Sequence, residues 1–380
     1  LDGMIDGLNA LYPFINAKKI HTDAYLQEVS AGGNRYPKAK KDFVDAIELG
    51  ALVIDYYGHG GEYGFAQERL YEINEAVNLN NYDNLPLFIT MTCDFSRFDN
   101  PYLQTGGEFT FWNPTGGAIN LVTTTRLIGV TSASNINDEF NFYLYENSDT
   151  NNPLNTIGEA LRKAKNGTSS QDRRVVFNIG DPALMLAIPR PKVVLTKIND
   201  VDVSQPTDVL NALSYVTLTG EVRNVFNNLQ SNYNGDLAVQ IFDKNIQRQT
   251  LGNDGVTNGA GDLILMDFTT LGETIFRGNA TVVNGKFEFG FVVPKDIKIA
   301  EGTGKVSFYA KSNNPSLQDQ TGHDFSIKIG GINLNAPEDT TPPTVRLYMN
   351  DESFVYGGIT NNSPIFLAFL EDEHGINTAS

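Results

Sequence analysis

Residues 51–61 read Ala-Leu-Val-Ile-Asp-Tyr-Tyr-Gly-His-Gly-Gly, and residues 85–93 read Leu-Pro-Leu-Phe-Ile-Thr-Met-Thr-Cys. Each stretch begins with an almost continuous apolar run, which is the pattern of a strand that a parallel sheet buries on both faces. The first run leads into His59 and the second into Cys93, the single cysteine of the chain. Two strands that each deliver a reactive side chain at their carboxyl end indicate a site built on a cysteine nucleophile.

The first half of the chain alternates such runs with helical patterns. The predicted strands are 20–26, 51–57, 87–91 and 118–123, and the predicted helices are 36–49, 69–77, 107–112, 138–146 and 156–165. Strands alternating with helices predict an α/β domain with a mainly parallel sheet, over residues 1–190. Ligands bind such sheets at the carboxyl ends of the strands, which is the edge where His59 and Cys93 lie.

After residue 190 the apolar pattern changes to an alternation with period two. The predicted strands are 193–198, 215–222, 237–242, 285–293, 304–311 and 323–329. Closely spaced strands with no helical pattern between them predict an immunoglobulin-like β-sandwich over residues 191–335. Residues 336–380 predict a proline-rich linker and the start of a further β-domain. We therefore expect a multidomain fragment of a longer protein.

Charge and cysteine content exclude several classes of protein. The 380 residues include 28 basic and 45 acidic side chains, for a formal net charge of -17. A strongly negative chain repels phosphate backbones, so we expect no nucleic-acid partner. One cysteine cannot form an intramolecular disulfide, which excludes a disulfide-stapled scaffold. No apolar run reaches the roughly 18 to 20 residues that a membrane helix needs.

The two reactive side chains suit acyl transfer. A thiolate is the reactive form of cysteine and needs a local partner. The imidazole of His59 can be that partner or can protonate a leaving amine, since imidazole titrates near neutral pH. The N–H groups of Gly60 and Cys93 are candidate donors to the oxyanion of a tetrahedral intermediate. Alone, each residue is more commonly a core cysteine or a histidine in a turn, and their joint placement at adjacent strand ends favours the site.

Metal and cofactor sites have no clear motif in the sequence. The remaining histidines, His21, His323 and His374, lie apart from any second ligand, so no metal spacing is present. The acidic cluster at residues 371–373 is the one candidate for a structural calcium ion, and no calcium-ligand loop accompanies it. We expect that no cofactor is required.

Four spaced motifs resemble the gingipain family of cysteine peptidases. They are Tyr57-Gly-His-Gly-Gly-Glu62, Thr90-Met-Thr-Cys-Asp94, Gly117-Ala-Ile-Asn-Leu-Val-Thr-Thr-Thr125 and Ile179-Gly-Asp-Pro-Ala-Leu184. Four stretches, at residues 32–37, 66–69, 93–97 and 123–126, are similar to the branch of the family that acts as the type IX secretion sortase. The resemblance covers residues 1–190, with the β-domains following in the expected order.

The resemblance implies a caspase-like α/β fold with His59 and Cys93 as a catalytic dyad. It also implies that the N–H groups of Gly60 and Cys93 bind the oxyanion. The family has an acidic residue that orients the histidine, and Asp23 is the candidate for that role here.

The resemblance gives less about the specificity pocket. The pocket residues of the family match no residues here, so a preference for arginine or lysine is not carried over. Thr124, Thr125 and Arg126, at the end of the strand that follows the cysteine strand, are the candidate pocket walls.

For the sortase branch, the resemblance implies cargo proteins with a carboxyl-terminal secretion signal as substrates. Cys93 would remove the signal at the cell surface, on the outer membrane of a Bacteroidetes bacterium, alongside other type IX secretion components. Water or an amine of anionic lipopolysaccharide would then resolve the acyl-enzyme. Two alternatives stay open: a catalytically silent module that binds secretion signals, and an adhesin that acts through its β-domains.

Overall fold

The computed structural model of the chain describes residues 2–150, 152–338, 340–372 and 376. The chain divides into two compact units, one of residues 1–188 with 247–270 and one of residues 189–246 with 271–380. The first division falls close to the expected boundary at residue 190. Residues 247–270, however, lie within the predicted β-sandwich segment and yet group with the first unit.

The first unit mixes helices and strands. Its helices are α1 Asp2–Leu11, α2 Pro37–Glu48, α3 Ile73–Asn78, α4 Gly106–Trp112, α5 Val130–Tyr145 and α6 Ile157–Gly167. Its strands before residue 188 are β1 Glu28–Ser30, β2 Gly33–Arg35, β3 Val53–Tyr57, β4 Gly60–Gly61, β5 Gly64–Phe65, β6 Tyr71–Glu72, β7 Leu87–Met91, β8 Asn120–Thr124 and β9 Val176–Ile179.

A four-stranded sheet in the order β3-β7-β8-β9 forms the centre of this unit. β3, β7 and β8 are parallel, as predicted, and β9 runs antiparallel to β8. Alternate residues of the strands enter two separate cores. Leu87, Ile89 and Met91 pack in a core with residues of α1, α5 and α6. Phe88 packs in the other core, with residues of α2, α3 and Leu121.

The boundaries of several elements differ from the sequence prediction. The predicted strand 20–26 is wrong, because Thr22–Ala24 is a turn of 3-10 helix whose backbone and side chains bond to residues 251–253. The predicted helix 69–77 begins only at Ile73, after the short strand β6 and a capping box between Glu72 and Glu75. Helix α5 begins eight residues earlier than the predicted start at residue 138, and α1 was not predicted.

The second unit consists of strands. They are β10 Arg190–Pro191, β11 Val193–Ile198, β12 Val201–Asp202, β13 Leu210–Ala212, β14 Tyr215–Val222, β15 Gly235–Phe242, β16 Ile246–Gln249, β17 Asp267–Thr270, β18 Thr274–Val282, β19 Lys286–Val292, β20 Gly302–Thr303, β21 Lys305–Ser312, β22 Gln320–Asp324, β23 Lys328–Ile332, β24 Thr344–Met349 and β25 Phe366–Glu371. Of these, β17 and all but the first residue of β16 group with the first unit.

Two larger sheets of the second unit share one hydrophobic core. One has the order β10-β22-β21-β15-β18 and the other the order β12-β11-β14-β19. Buried side chains such as Leu218 of the second sheet and Val239 and Phe308 of the first belong to the same cluster. Two sheets that bury their inner faces against each other form a β-sandwich. The immunoglobulin type of this sandwich stays a prediction.

Several strands of this unit were not predicted, among them the short strands β10, β12, β13 and β20. β18 was missed, because Arg277-Gly-Asn279 in its middle hides the apolar alternation. The predicted strand 323–329 is two strands, β22 and β23, which belong to different sheets. Within the described residues, no helix is long and apolar enough to cross a membrane.

Candidate active site

The register of the central sheet brings the two predicted reactive residues to the same edge. Tyr57 of β3 is paired with Met91 of β7, and the two strands are parallel. His59 and Cys93 each lie two residues beyond this pair, so they have the same register position. Successive side chains of a strand point to opposite faces, and Tyr57 and Met91 both face the α5 core. The strands end at Tyr57 and Met91, so His59 and Cys93 lie in the two loops that leave the sheet at the same end of these neighbouring strands.

The backbone of His59 is fixed by two hydrogen bonds to its carbonyl oxygen. The Tyr56 hydroxyl donates to it at 2.6 Å, and the N–H of Ala66 donates to it at 2.8 Å. The ring of Tyr56 stacks on that of Phe65, with 3.9 Å between centroids, and Phe65 is fully buried. The imidazole of His59 is exposed and has no hydrogen-bond partner among the described residues. The hydrogen bonds and the stacked rings hold the backbone of the loop in place, and the His59 ring is left exposed.

Gly60 follows His59 at a position where no side chain fits. A Cβ on Gly60 would lie 2.5 Å from Thr92 Oγ1 and 3.1 Å from Thr92 Cγ2. The close approach brings the His59 loop directly against the residue that precedes Cys93. Glycine is required here by space, since only hydrogen atoms on its Cα allow this contact.

The hairpin of β4 and β5 sets the direction of the Gly60 amide. The bond from Ala66 N–H to the carbonyl of His59 makes these two residues a hydrogen-bonded pair. Gly60 and Phe65 are the next pair, and in an antiparallel ladder hydrogen-bonded and non-hydrogen-bonded pairs alternate. The N–H of Gly60 therefore points away from β5.

Cys93 lies just past the end of β7 and is partly buried. Its sulfur lies 3.9 Å from the carbonyl oxygen of Ile128, a distance that allows a weak S–H hydrogen bond. In the described part of the chain, the N–H of Cys93 makes no backbone hydrogen bond. Asp94 has a left-handed backbone, with φ of 55°, so the chain turns sharply after the cysteine.

The end of β8 holds the loop that carries Cys93. The Thr124 hydroxyl donates to the carbonyl of Thr92. The N–H of Ser96 donates to the carbonyl of Thr124 at 3.0 Å, and the N–H of Asp94 donates to the carbonyl of Arg126 at 3.4 Å. Three contacts from consecutive parts of one strand end therefore fix the residues on both sides of the cysteine.

An ion pair adds to this attachment. The guanidinium of Arg126 donates to both carboxylate oxygens of Asp99, at 2.9 and 2.5 Å. The hydrogen bonds to Arg126 hold the pKa of Asp99 below its usual value. Both side chains are about half exposed, so the pair orders the loop surface more than it stabilises the fold.

These contacts revise the prediction that Thr124, Thr125 and Arg126 line a substrate pocket. Thr124 is fully buried, so its side chain holds the cysteine loop and cannot line an open pocket in this structure. The Thr125 hydroxyl donates to the carbonyl of Val175 at 3.3 Å. Arg126 is exposed and paired with Asp99. A pocket role for Thr125 and Arg126 stays a prediction.

Beneath the loop, three buried hydroxyl groups form a chain. The Thr90 hydroxyl donates to Thr123 Oγ1 at 2.7 Å, and Ser96 Oγ lies 2.8 Å from the same oxygen. All three residues are fully buried. The chain ties β7, β8 and the cysteine loop together in a place that water does not reach. The sequence did not predict this chain, because a serine or threonine in a sequence does not indicate which distant residue its hydroxyl will bond.

Asp55 is a carboxyl group within β3, on the same face as Tyr57. Its two oxygens accept hydrogen bonds of 2.9 Å from the side-chain amides of Asn137 and Asn141 of α5. Burial nevertheless raises the pKa of Asp55 to about 6. The loss of hydration disfavours the ionised carboxylate more than these two hydrogen bonds favour it. Both asparagines are at least 97% buried, with 1% and 3% of their surface exposed. The group anchors α5 to the strand that carries His59.

Asp23, the candidate orienting acid, has different partners. Its two carboxylate oxygens accept from the N–H groups of Gly252 at 2.9 Å and Asn253 at 2.7 Å. Its carbonyl accepts from the N–H of Leu251 at 2.8 Å. Since no described residue bonds to the His59 imidazole, Asp23 does not orient it in this structure. Asp23 holds the 251–253 turn in this structure, and its role as orienting acid stays a prediction.

No cluster of three or more His, Cys, Asp or Glu residues able to hold a metal ion occurs among the described residues. Of the candidate calcium cluster at residues 371–373, Glu373 lies outside the described residues, as does His374. Whether the protein needs a cofactor stays a prediction from the sequence.

Comparison with known proteins gives a family match for the first 187 residues of the chain. Residues 1–187 match the model of peptidase family C25, and no curated protein matches the chain. Among solved structures, dimeric latent PorU from Porphyromonas gingivalis is 27% identical, with a TM-score of 0.40 over 68% of this chain and 24% of that one.

Two gingipain structures are also similar to the chain. The complex of the RgpB pro- and mature domains from Porphyromonas gingivalis is 17% identical, with a TM-score of 0.41 over 86% of this chain and 62% of that one. The Arg-specific cysteine proteinase gingipain R is 16% identical, with a TM-score of 0.36 over 76% of this chain and 56% of that one. The chain spans less than two thirds of each of these three proteins.

Proposed function

We propose that the chain, whose residues 1–187 match the model of peptidase family C25, is a cysteine peptidase with Cys93 as nucleophile and His59 as general acid and base. The observation that carries the proposal is the register of the sheet. His59 and Cys93 both lie two residues beyond the paired Tyr57 and Met91. A chain that places a thiol and an imidazole at one strand edge has the two groups that acyl transfer requires.

Acylation begins with the thiolate of Cys93, whose proton His59 has taken. The sulfur adds to the carbonyl carbon of the scissile peptide, and the π electrons of the carbonyl move onto its oxygen. The N–H groups of Gly60 and Cys93 stabilise the oxyanion, each by about 3 to 4 kcal/mol in comparable sites. When the intermediate collapses, the C–N bond breaks and the amine leaves with a proton from His59. A thioester on Cys93 remains.

The thioester is resolved by a second nucleophile. Water gives up a proton to His59, attacks the thioester carbonyl and releases the carboxylic acid together with the Cys93 thiol. An amine can take the place of water, in which case a new amide forms. Both routes use the same two side chains, so the supply of acceptor decides between hydrolysis and transfer.

The finer part of the proposal is a sortase-type reaction. Its substrates are exported cargo proteins that carry a carboxyl-terminal secretion signal, its acceptor is an amine of lipopolysaccharide, and its place is the outer membrane surface with other type IX secretion components. The support is the set of motifs at residues 32–37, 66–69, 93–97 and 123–126. The net charge of -17 would repel the phosphate backbone of a nucleic acid, so nucleic acid is not proposed as a substrate or partner.

Cargo processing in the organism that carries this chain tests the proposal. Cells with Cys93→Ala or His59→Asn should accumulate cargo that keeps its carboxyl-terminal signal. His323→Asn, in the second unit, is the control for replacing a histidine and should leave processing normal.

Three results are informative. Normal cargo maturation in the Cys93→Ala cells would contradict the peptidase proposal. Purified wild-type chain that binds signal peptides without cleaving them would instead support the silent binding module. Ligand binding by residues 191–335 alone, with cargo unaffected by Cys93→Ala, would support the adhesin.

A further inference from the structure

We propose that Thr124 is a positioning residue for the oxyanion site: its hydroxyl holds the peptide between Thr92 and Cys93 so that the N–H of Cys93 points at the substrate carbonyl. The inference rests on the proposed peptidase function. It adds a residue that does not touch the substrate and acts through the backbone of the nucleophile.

The first step is the contact itself. The Thr124 hydroxyl donates to the carbonyl oxygen of Thr92, and Thr124 and Thr92 are only 0% and 1% exposed. Apart from hydrogen bonds between paired strands, no other donor to the Thr92 carbonyl occurs among the described residues. A hydrogen bond in this buried place has no competition from water, so it fixes the direction of the carbonyl.

The second step follows from the geometry of the peptide bond. The carbonyl of Thr92 and the N–H of Cys93 belong to one planar, trans peptide unit, so they point in opposite directions. Fixing the carbonyl toward Thr124 therefore fixes the N–H away from β8. This N–H makes no backbone hydrogen bond in the part of the chain that the structure describes. It is available for an oxyanion.

The third step concerns the other amide of the proposed oxyanion site. The side chain of Thr92 lies against Gly60, where a Cβ would approach Thr92 Oγ1 to 2.5 Å. The Thr92 hydroxyl is buried and has no hydrogen-bond partner among the residues that the structure describes, so its contact with Gly60 is one of packing. Thr92 therefore contacts the segments that carry both amides, and Thr124 holds Thr92 in place. One buried hydroxyl thus controls the separation of the two oxyanion donors.

Aldehydes and alkylating reagents separate this role from a general effect on the thiol. The sulfur adds to the carbon of a peptide aldehyde, and the carbonyl electron pair moves onto an oxygen that the two amides bind. Iodoacetamide instead loses iodide to the attacking sulfur, and no oxyanion forms. A positioning role for Thr124 should affect the first reaction and spare the second.

The experiment uses the full chain and a panel of acetylated tripeptide aldehydes that differ in the residue next to the aldehyde. For the tightest aldehyde, we expect Thr124→Val to raise the inhibition constant at least 10-fold, below the roughly 100- to 1,000-fold effect of removing an oxyanion donor outright. The rate of Cys93 alkylation by iodoacetamide should stay within about 2-fold. Thr124→Ser keeps the hydroxyl and should restore aldehyde affinity.

Thr321→Val is the matched control. Thr321 in the second unit also donates from a buried hydroxyl to a backbone carbonyl, that of Phe308, at 2.8 Å. This variant should change neither reaction. It shows what the loss of one buried hydroxyl does when no oxyanion donor depends on it.

Two results for Thr124→Val would overturn the role of this residue while wild-type protein still binds the aldehyde: unchanged aldehyde affinity, or an equal loss of aldehyde affinity and alkylation rate. Failure of every aldehyde on wild-type protein, with Cys93 still alkylated, is a different result. It would overturn the proposed peptidase function and the role of Thr124 with it.

Discussion

Tyr57 and Met91 are paired across the parallel strands β3 and β7, and His59 and Cys93 each follow this pair by two residues at the same end of the two strands. A shift of either strand by one residue would move its side chains to the other face of the sheet. The two apolar cores oppose such a shift, because each strand packs apolar residues into both cores. The pairing of β3 with β7 therefore sets the relative position of the two loops that carry the proposed dyad.

Gly60 gives the sharpest test of the contact between the two loops. We expect Gly60→Ala to lower peptidase activity at least 10-fold, since the new methyl group would meet Thr92 at 2.5 Å and push the His59 loop away from Cys93. Gly61→Ala is the control, because a Cβ there would have no atom of the described residues beyond its own chain neighbours within 4 Å. Peptide hydrolysis by the two purified variants checks the prediction, and equal activities would contradict it.

The buried hydroxyl chain predicts an order of stability. Thr123→Val removes the central hydroxyl and leaves two polar groups, those of Thr90 and Ser96, without their partner. We expect it to lower the free energy of unfolding by about 2 to 6 kcal/mol, from about 1 to 3 kcal/mol for each of the two unsatisfied buried groups. Thr90→Val should cost less. Urea unfolding followed by fluorescence measures the stability of both variants. A larger loss for Thr90→Val would contradict the central position of the Thr123 hydroxyl between Thr90 and Ser96.

The titration of Asp55 predicts a pH dependence of stability. Its pKa is raised from 3.8 to about 6 in the folded state, so the folded state binds more protons than the unfolded state between these values. The stability contributed by this group is therefore fully present below pH 3.8 and is lost as pH rises through about 6.

The variant Asp55→Asn isolates this contribution. The free energy of unfolding of wild-type protein minus that of the variant should fall between pH 4 and pH 6 and then become constant, because only the wild type titrates there. Unfolding curves in urea at a series of pH values measure the difference. A difference that rises with pH would mean that the folded state favours the ionised carboxylate, through its bonds to Asn137 and Asn141.

The attachment of residues 251–253 predicts a local effect of Asp23. Replacing Asp23 by Asn removes the charge from the acceptor of two backbone amides. We expect faster hydrogen exchange at Gly252 and Asn253, because hydrogen bonds to a charged acceptor are about twice as strong as neutral ones. Exchange measured by mass spectrometry on peptides covering 247–270 tests this. Unchanged exchange with a collapse of peptidase activity would instead identify Asp23 as the orienting acid.

Much of the central sheet could be predicted from the sequence. β7 has the predicted bounds, Leu87–Met91, because a short, almost continuous apolar run buried on both faces has few alternatives. The helix α2 was also clear, since Pro37 marks its first residue and Gly50 follows its end with a positive φ. These features depend on neighbouring residues alone, so one sequence is enough to recognise them.

The parts that depend on distant partners could not be predicted. Residues 20–26 look like a strand, yet Asp23 bonds to residues more than 200 positions later in the chain. Thr124 was expected at the surface of a pocket, and only the fold reveals that its hydroxyl meets the carbonyl of Thr92. His59 and Cys93 could be proposed as a pair because the strand order was readable, whereas the residues that hold them depend on contacts between loops.

The most direct test of the central claim is the rate at which a peptidyl acyloxymethyl ketone labels Cys93 at neutral pH, in wild-type protein and in His59→Ala, measured by intact mass and by mapping of the labelled residue. If the two residues act together, wild-type protein is labelled at Cys93 and the variant at least 100-fold more slowly, within the roughly 100- to 10,000-fold range of a general acid or base. Equal rates, or no labelling of wild-type Cys93, would contradict the dyad.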